Sequence, residues 1–333
     1  METPADVATL EVLPPDGAPY PQVLRGQGYG LGRSLGGVLL GLSMYLLLVT
    51  LVSQIVVLVG WALTAADQPY PDYVRQAGAY ERPVGMLGAN LGIATLIPIA
   101  CLLMLVLHRV RPRWLVSVQP GVRWRYLLIC LGIALVSLNG VLLLSQVLTG
   151  TVPAYVAQPG FWGFLVVVVL TSPIQAVAEE LFFRGYLVQA LGSLLARPWF
   201  GVVVSSVLFA LLHGTQNLPL FCNRLAFGLL AALLVWKTGG LEAGIAAHIV
   251  NNVFAYVFAG LTTGIATLRT VQGVSWAESA VGIGSFALFA ALAYLVFRAL
   301  KLRERVDLVA YGVLPGTDTA GGGTGLGGRP SLQ

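Results

Sequence analysis

Apolar residues in this chain are grouped in long blocks rather than at short alternating periods. Six stretches contain no Asp, Glu, Lys or Arg: 34–66, 84–107, 126–178, 198–223, 243–268 and 279–297. A transmembrane helix needs about 20 mostly apolar residues, whereas a transmembrane β-barrel shows alternating segments of about 10. The pattern therefore predicts an all-α polytopic membrane protein with about eight transmembrane helices and a polar site inside the helix bundle.

The predicted spans lie near 35–62, 85–107, 126–148, 162–191, 199–214, 220–237, 241–260 and 280–298. Pro173 falls inside the fourth span, and proline tends to kink or break a helix because it removes a backbone hydrogen bond. The charged stretch that begins at Glu179 is therefore expected to start a fresh helical segment. That segment is expected to continue past Gly192 as a short surface helix ending near Arg197.

Composition agrees with a bilayer as the solvent. The chain is 57% hydrophobic and 10% charged, whereas soluble domains carry roughly 25% charged residues. The net charge of +5 comes mostly from arginines at the ends of apolar segments, which indicates membrane topology rather than nucleic-acid binding. Membrane lipids are the expected surroundings, with no nucleic-acid partner.

The arginines also predict an orientation, because short cytoplasmic loops carry an excess of Lys and Arg. The loop 108–125 holds five arginines and no acidic residue, and 298–305 is a second basic cluster. The protein is therefore expected to be a multi-pass cell-membrane protein with both termini in the cytoplasm.

Five regions are predicted along the chain. A disordered N-terminal tail covers 1–28 and precedes transmembrane spans in 29–160. A core that contains the candidate catalytic residues covers 161–260, and 261–305 contains the last span. A Gly-rich disordered tail covers 306–333.

Three polar clusters interrupt the apolar background, and each has the spacing of one helix turn. They are Glu179, Glu180 and Arg184; Phe209 and His213; and His248 and Asn252. A charge at the centre of a transmembrane helix costs roughly 2.5–3.5 kcal/mol, so such residues usually face a polar cavity and serve a function. For Glu180 and Arg184, four residues apart, an ion pair that only joins helices is the main alternative.

The four polar side chains Glu179, His213, His248 and Asn252 are expected at similar depths, roughly 10–20 Å from the inner ends of their helices at about 1.5 Å per residue. They can therefore meet near mid-membrane. His108, by contrast, lies beside Arg109 at the end of a span and is expected to be solvated.

Glutamate, two histidines and asparagine are suited to the activation of water. A buried carboxylate can accept a proton from water near neutral pH, and amide or imidazole N–H groups can stabilise the oxyanion of a hydrolytic reaction. Alternatively, His213, His248 and Glu179 are candidate zinc ligands, which would leave a fourth position for water. Spacing alone does not separate the two options.

In order and in helix context, these clusters resemble the CPBP family of intramembrane proteases. That family includes the type II CAAX prenyl endopeptidases and relatives linked to bacteriocin processing and self-immunity. Its pattern is EExxxR, FxxxH and HxxxN on successive membrane helices, and the match covers about residues 161–260.

The resemblance implies an endopeptidase that cleaves a membrane-associated protein or peptide, with CAAX-type or prenylated chains as one possible class. Glu179 and His213 would activate water, and His248 and Asn252 would stabilise the oxyanion. Glu180, Arg184 and Phe209 would support the site. Such proteins are often labelled metalloproteases, but if Glu179 is the base and Glu180 pairs with Arg184, too few zinc ligands remain. This count favours a metal-free glutamate mechanism over zinc.

Two other functions remain open from the sequence. Intramembrane Glu and His also relay protons in proton-coupled transporters, although the chain lacks the repeated halves that many transporters show. A non-catalytic membrane scaffold is the other alternative. HExxH, an intramembrane aspartyl pair and a serine–histidine arrangement are all absent from the sequence.

Overall fold

Ten helices organise residues 12–310, the part of the chain that this computed structural model describes. They are α1 (Leu31–Thr64), α2 (Tyr70–Gly78), α3 (Pro83–His108), α4 (Trp124–Thr149), α5 (Phe161–Gly192), α6 (Trp199–Leu211), α7 (Leu218–Thr238), α8 (Glu242–Gly260), α9 (Ile265–Thr270) and α10 (Trp276–Ala299). A single helical turn, Arg113–Val116, lies between α3 and α4. The predicted all-α polytopic fold is confirmed.

Seven of these helices are long and apolar enough to cross a membrane. The eighth predicted span corresponds to α6, an apolar helix of 13 residues, which is shorter than the roughly 20 residues that one crossing requires. The estimate of about eight membrane-crossing helices therefore becomes seven full-length helices and one short helix. The segment 212–217 joins α6 to α7, whose N-terminus is capped by the Asn217 side chain.

Helix α5 passes through Pro173 without a break, which corrects the expected fresh start at Glu179. The backbone changes at that point in a different way, because Glu180–Leu187 forms a π-helical segment. π-helical turns inside α-helices are rare and frequently occur at functional sites. The helix then ends at Gly192 rather than near Arg197.

The segment 12–28 is not a disordered tail, so this part of the prediction is wrong. It contains the short helix Tyr20–Arg25, whose Tyr20, Val23 and Leu24 are buried in the main hydrophobic core. Apolar residues within a Pro-rich, weakly periodic stretch gave no helical pattern, yet they bury well against the ends of other helices. Residues 1–11 lie outside the described part.

The segment 306–310 is likewise ordered, although 311–333 lies outside the described residues. Val306 and Leu308 are buried, and the Val306 amide donates to the Ala18 carbonyl over 3.0 Å. Pro19 and Arg305 form an isolated antiparallel bridge. We call residues 12–28 together with 302–308 the strap, since they cross the same end of the bundle side by side.

The strap packs on the loops that join helices at one end. Gln22 Nε2 donates to the Ala196 carbonyl over 2.9 Å, and Arg25 Nε donates to the Ser193 carbonyl over 2.8 Å. The Tyr20 hydroxyl donates to the Leu115 carbonyl. The Arg-rich 108–125 loop, the 193–198 loop and both ends of the described chain therefore lie together.

His108 is buried rather than solvated, which corrects the expectation for this residue. Its Nε2 lies 3.1 Å from the Tyr186 hydroxyl, and the residue is 8% exposed. The tyrosine belongs to the π-helical part of α5, so the contact joins the ends of α3 and α5.

Candidate active site

The centre of the site is a buried ion pair within one turn of α5. Arg184 Nη1 lies 3.2 Å from Glu180 Oε1, and both side chains are almost completely buried. No guanidinium nitrogen of Arg184 has a hydrogen-bond partner among the described residues, so the buried charge depends on this ion pair. The predicted Glu180–Arg184 pair is therefore present.

His248 on α8 lies between the two adjacent glutamates of α5. Its Nδ1 is 2.8 Å from Glu180 Oε1, and its Nε2 is 3.3 Å from Glu179 Oε2. Because a carboxylate accepts hydrogen bonds, Glu180 favours the tautomer with a proton on Nδ1. The Nε2 of His248 then faces the Glu179 carboxylate.

The two glutamates differ in exposure although they are neighbours in the chain. The side chain of Glu180 is 0% exposed and that of Glu179 is 9% exposed. Glu179 is therefore the carboxylate nearer to the surface of the site, and Glu180 is the one enclosed by protein.

Phe209 on α6 connects the ion pair with His213. The Arg184 guanidinium lies 3.8 Å from the centre of the Phe209 ring, a cation–π contact, and the His213 ring centre lies 4.5 Å from the same ring. His213 Nδ1 is 2.7 Å from the Phe209 carbonyl oxygen. This contact predicts an Nδ1–H tautomer for His213, which leaves Nε2 as an acceptor.

Asn252 lies one turn beyond His248 on α8 and contacts α5 rather than the histidines. Its Nδ2 donates to Gln175 Oε1 over 2.9 Å, and its Oδ1 accepts from Asn251 Nδ2 over 3.1 Å. These two contacts fix which side of the amide carries the donor. The second N–H of the same amide group can donate to a substrate oxygen.

Three neighbours of the site were missed by the sequence reasoning. Gln175 lies four residues before Glu179 and faces α8, a spacing that could have identified it. Phe227 on α7 packs 5.2 Å from the His248 ring centre. Gly244 lies one turn before His248, and a Cβ there would come within 2.7 Å of Glu180 Oε2. Neither Phe227 nor Gly244 has a signal that separates it from other apolar helix residues.

The same side chains do not form a zinc site. Among residues 12–310, no three His, Cys, Asp or Glu side chains lie where one metal ion could bind them all. Both ring nitrogens of His248 face carboxylates, and Glu180 is already paired with Arg184. A catalytic zinc needs three protein ligands, so this arrangement does not fit a zinc site.

Part of the chain that holds this site is similar to a known family. Residues 161–254 match the model of the family described as Type II CAAX prenyl endopeptidase Rce1-like. The chain is 32% identical over 158 residues to the uncharacterized protein YyaK of Bacillus subtilis (strain 168), across 44% of this chain and 52% of that protein. The chain thus spans about half the length of this curated relative. No solved structure matches the chain significantly.

The matched segment contains α5, α6, α7 and most of α8, and with them all three polar clusters. It also contains Gln175 and Phe227, which contact those clusters. Residues 161–254 of this membrane protein are therefore similar to the Rce1-like family of type II CAAX prenyl endopeptidases, in agreement with the motif resemblance.

Proposed function

We propose that this protein is an intramembrane endopeptidase that hydrolyses a peptide bond of a membrane-associated polypeptide with water activated by Glu179. The observation that supports this proposal most directly is that the two adjacent glutamates differ in exposure and in their partners. Glu180 is fully buried between Arg184 and His248, whereas the Glu179 side chain is 9% exposed and lies 3.3 Å from His248 Nε2.

In the proposed reaction Glu179 accepts a proton from water as the water oxygen attacks the carbonyl carbon of the scissile bond. The proton then passes to the departing amine when the carbon–nitrogen bond breaks. A general base must lie within hydrogen-bond reach of the water, and its pKa must be near the working pH. His213, which lies two residues beyond the end of α6 rather than within the predicted span 199–214, is proposed to hold this water through its Nε2.

His248 has two proposed roles, both set by Glu180. The carboxylate of Glu180 holds the imidazole at Nδ1 and directs Nε2 towards Glu179, as a carboxylate orients the histidine of a catalytic triad. His248 thus faces the base through Nε2, and together with Asn252 it is proposed to stabilise the developing oxyanion. Glu180 and Arg184 are positioning residues.

The proposal needs no metal ion, in keeping with the poor fit of these side chains to zinc. It also does not require a prenyl group on the substrate. The family description supports cleavage near a CAAX-type C-terminus, and the chain's own residues define only the reacting centre.

Cleavage by purified protein tests the proposal. Internally quenched peptides that carry one hydrophobic segment would be used, with and without a farnesylated CAAX terminus, in detergent micelles. We expect cleavage by wild-type protein and by Glu278→Gln, since Gln preserves the capping box of α10. We expect none by Glu179→Gln. Wild-type rates in Glu179→Gln would overturn the proposal.

Metal dependence is tested separately by exhaustive chelation followed by elemental analysis. We expect chelated, metal-free protein to retain its cleavage rate. Loss of activity on chelation that is restored by one equivalent of zinc would contradict the metal-free mechanism.

A further inference from the structure

His213 lies on the segment 212–217, which joins α6 to α7, and not on a helix. Helix α6 ends at Leu211, and Gly214 has a φ of 80°, the left-handed conformation with which many helices end. The histidine itself is exposed. Neither a helix nor enclosing protein therefore fixes its imidazole, although a group that holds a reacting water needs a fixed position.

Gln216 ties the far side of this segment back to α6. Its Nε2 donates to the Ala210 carbonyl over 2.6 Å. Ala210 belongs to the last turn of α6, where carbonyl groups lack their usual helical partners. The next residue, Asn217, is anchored through its backbone N–H, which donates to the Gln272 carbonyl over 2.7 Å. His213 therefore lies on a short loop that is held at both of its ends.

Arg224 on α7 is the only charged residue of the stretch 198–236. A cation in an apolar helix is costly and is usually paired. Among residues 12–310, however, no carboxylate forms an ion pair with Arg224. Its Nη1 instead lies 2.8 Å from Gln216 Oε1 and 3.4 Å from the His213 carbonyl oxygen. Both acceptors belong to the segment that carries His213.

We propose that Arg224 and Gln216 form a clamp that holds His213 where its Nε2 can bind the attacking water. Both are positioning residues, because they act through the histidine and not on the substrate. A cation suits this role, since a charge-assisted hydrogen bond is roughly twice as strong as a neutral one. The inference rests on the proposed function for the role of His213, whereas the immobility of the 212–217 segment is a separate property of the fold.

Cleavage of the internally quenched peptide tests the effect of the clamp on the reaction. The variants are Arg224→Gln, Gln216→Leu and the double variant, with Arg197→Gln as the control that removes a cation from the exposed 193–198 loop. We expect each single variant to lower kcat by roughly 10–10²-fold, the effect of a misplaced catalytic group, with KM within about twofold of wild type.

The double variant should lose no more than the more impaired single variant, because both substitutions break the same contact. Arg224→Lys should recover part of the loss, since an ammonium group can still donate to Gln216 Oε1. The control should cleave at the wild-type rate. A raised KM with unchanged kcat in Arg224→Gln would show that Arg224 binds the substrate directly and would overturn the clamp, as would losses that multiply in the double variant.

Electron paramagnetic resonance tests the clamp independently of activity. A methanethiosulfonate nitroxide is attached to Thr215→Cys, an exposed position of the segment, in protein whose native cysteines are replaced by alanine at Cys101, Cys130 and Cys222. We expect the spectrum in detergent micelles to narrow, which reports faster motion, when Arg224→Gln is added but not when Arg197→Gln is added.

An unchanged spectrum in Arg224→Gln would overturn the clamp, even if the wild-type protein cleaves the peptide. If the spectrum narrows as expected while the wild-type protein cleaves no peptide, the proposed function fails and the clamp stands.

Discussion

At the scale of single residues, two identical neighbours have acquired different environments. Glu180 accepts from His248 Nδ1 and pairs with Arg184, whereas Glu179 has the outer nitrogen of the same imidazole as its partner. Truncating one partner of a buried ion pair leaves an uncompensated charge, which is more costly than the pair itself is stabilising. The two glutamates should therefore respond differently to the same substitution.

We expect Glu179→Gln to abolish cleavage with little change in stability, and Glu180→Gln to lower the free energy of unfolding by on the order of 3–5 kcal/mol. The second substitution leaves the Arg184 guanidinium buried without its carboxylate. Thermal denaturation in detergent, measured alongside the cleavage assay, checks both. A stable Glu180→Gln protein with wild-type activity would contradict the positioning role.

We expect Asn252→Ala to lower the maximal rate by roughly 10²–10³-fold, the effect of removing one oxyanion donor. Gln175→Ala should lower it less, because the Asn252 donor remains and only its orientation is released. Both rates are measured with the same quenched peptide. An equal or larger loss in Gln175→Ala would show that Gln175 itself contacts the substrate.

At the scale of helices, the site depends on a close approach of α8 to α5. Gly244 lies against Glu180, and the absence of a side chain there lets His248, one turn later, reach both glutamates. At the same level, the π-helical segment from Glu180 to Leu187 changes the direction in which successive side chains of α5 point. A regular α-helix in place of the π-helical segment, or a side chain at position 244, would move His248 away from the two glutamates.

We expect Gly244→Ala to reduce activity and lower the melting temperature, because its Cβ would lie 2.7 Å from a carboxylate held by Arg184 and His248. Gly132→Ala in α4 is the matched control, since nothing lies within 4 Å of a Cβ there. That control should be neutral or stabilising by roughly 0.5–1 kcal/mol, as Ala favours helix over Gly. Unchanged cleavage by Gly244→Ala would show that the two helices can separate without harm.

At the scale of the whole molecule, buried polar contacts hold the strap end of the bundle together. Arg123 at the start of α4 forms a two-point ion pair with Glu242 at the start of α8, with Arg123 Nε 2.9 Å from Glu242 Oε1. Arg123 Nη1 also donates to the Thr238 carbonyl at the end of α7 over 2.7 Å. Three helices and the Arg-rich loop are joined by this one arginine.

We expect Arg123→Met to destabilise the protein by on the order of 3–5 kcal/mol, because Glu242 is left buried and unpaired. The double variant Arg123→Met with Glu242→Leu should recover much of this loss, since replacing both partners by apolar groups is often nearly neutral. Melting temperatures of the two variants in detergent provide the comparison. Equal losses in the single and double variants would contradict this account.

The sequence by itself determined the membrane character, the approximate positions of the long helices and the three polar clusters of the candidate site. Long charge-free apolar segments predict helices, because in a bilayer a helix pairs all of its own backbone polar groups. A spacing of four residues identified the Glu180–Arg184 pair and the other two clusters. Sequence analysis failed at the chain ends and at α6. The burial of Tyr20 and Val306 depends on partners far away in the chain, and helix length alone does not reveal where a short helix stops.

Only the tertiary structure decided how the site residues combine. The contacts that build the site join segments that are distant in the chain, and they are set by which helix faces meet. Examples are His248 with both glutamates, Asn252 with Gln175, and Arg123 with Glu242. Helical periodicity places a residue on a face of its own helix and carries no information about the face opposite.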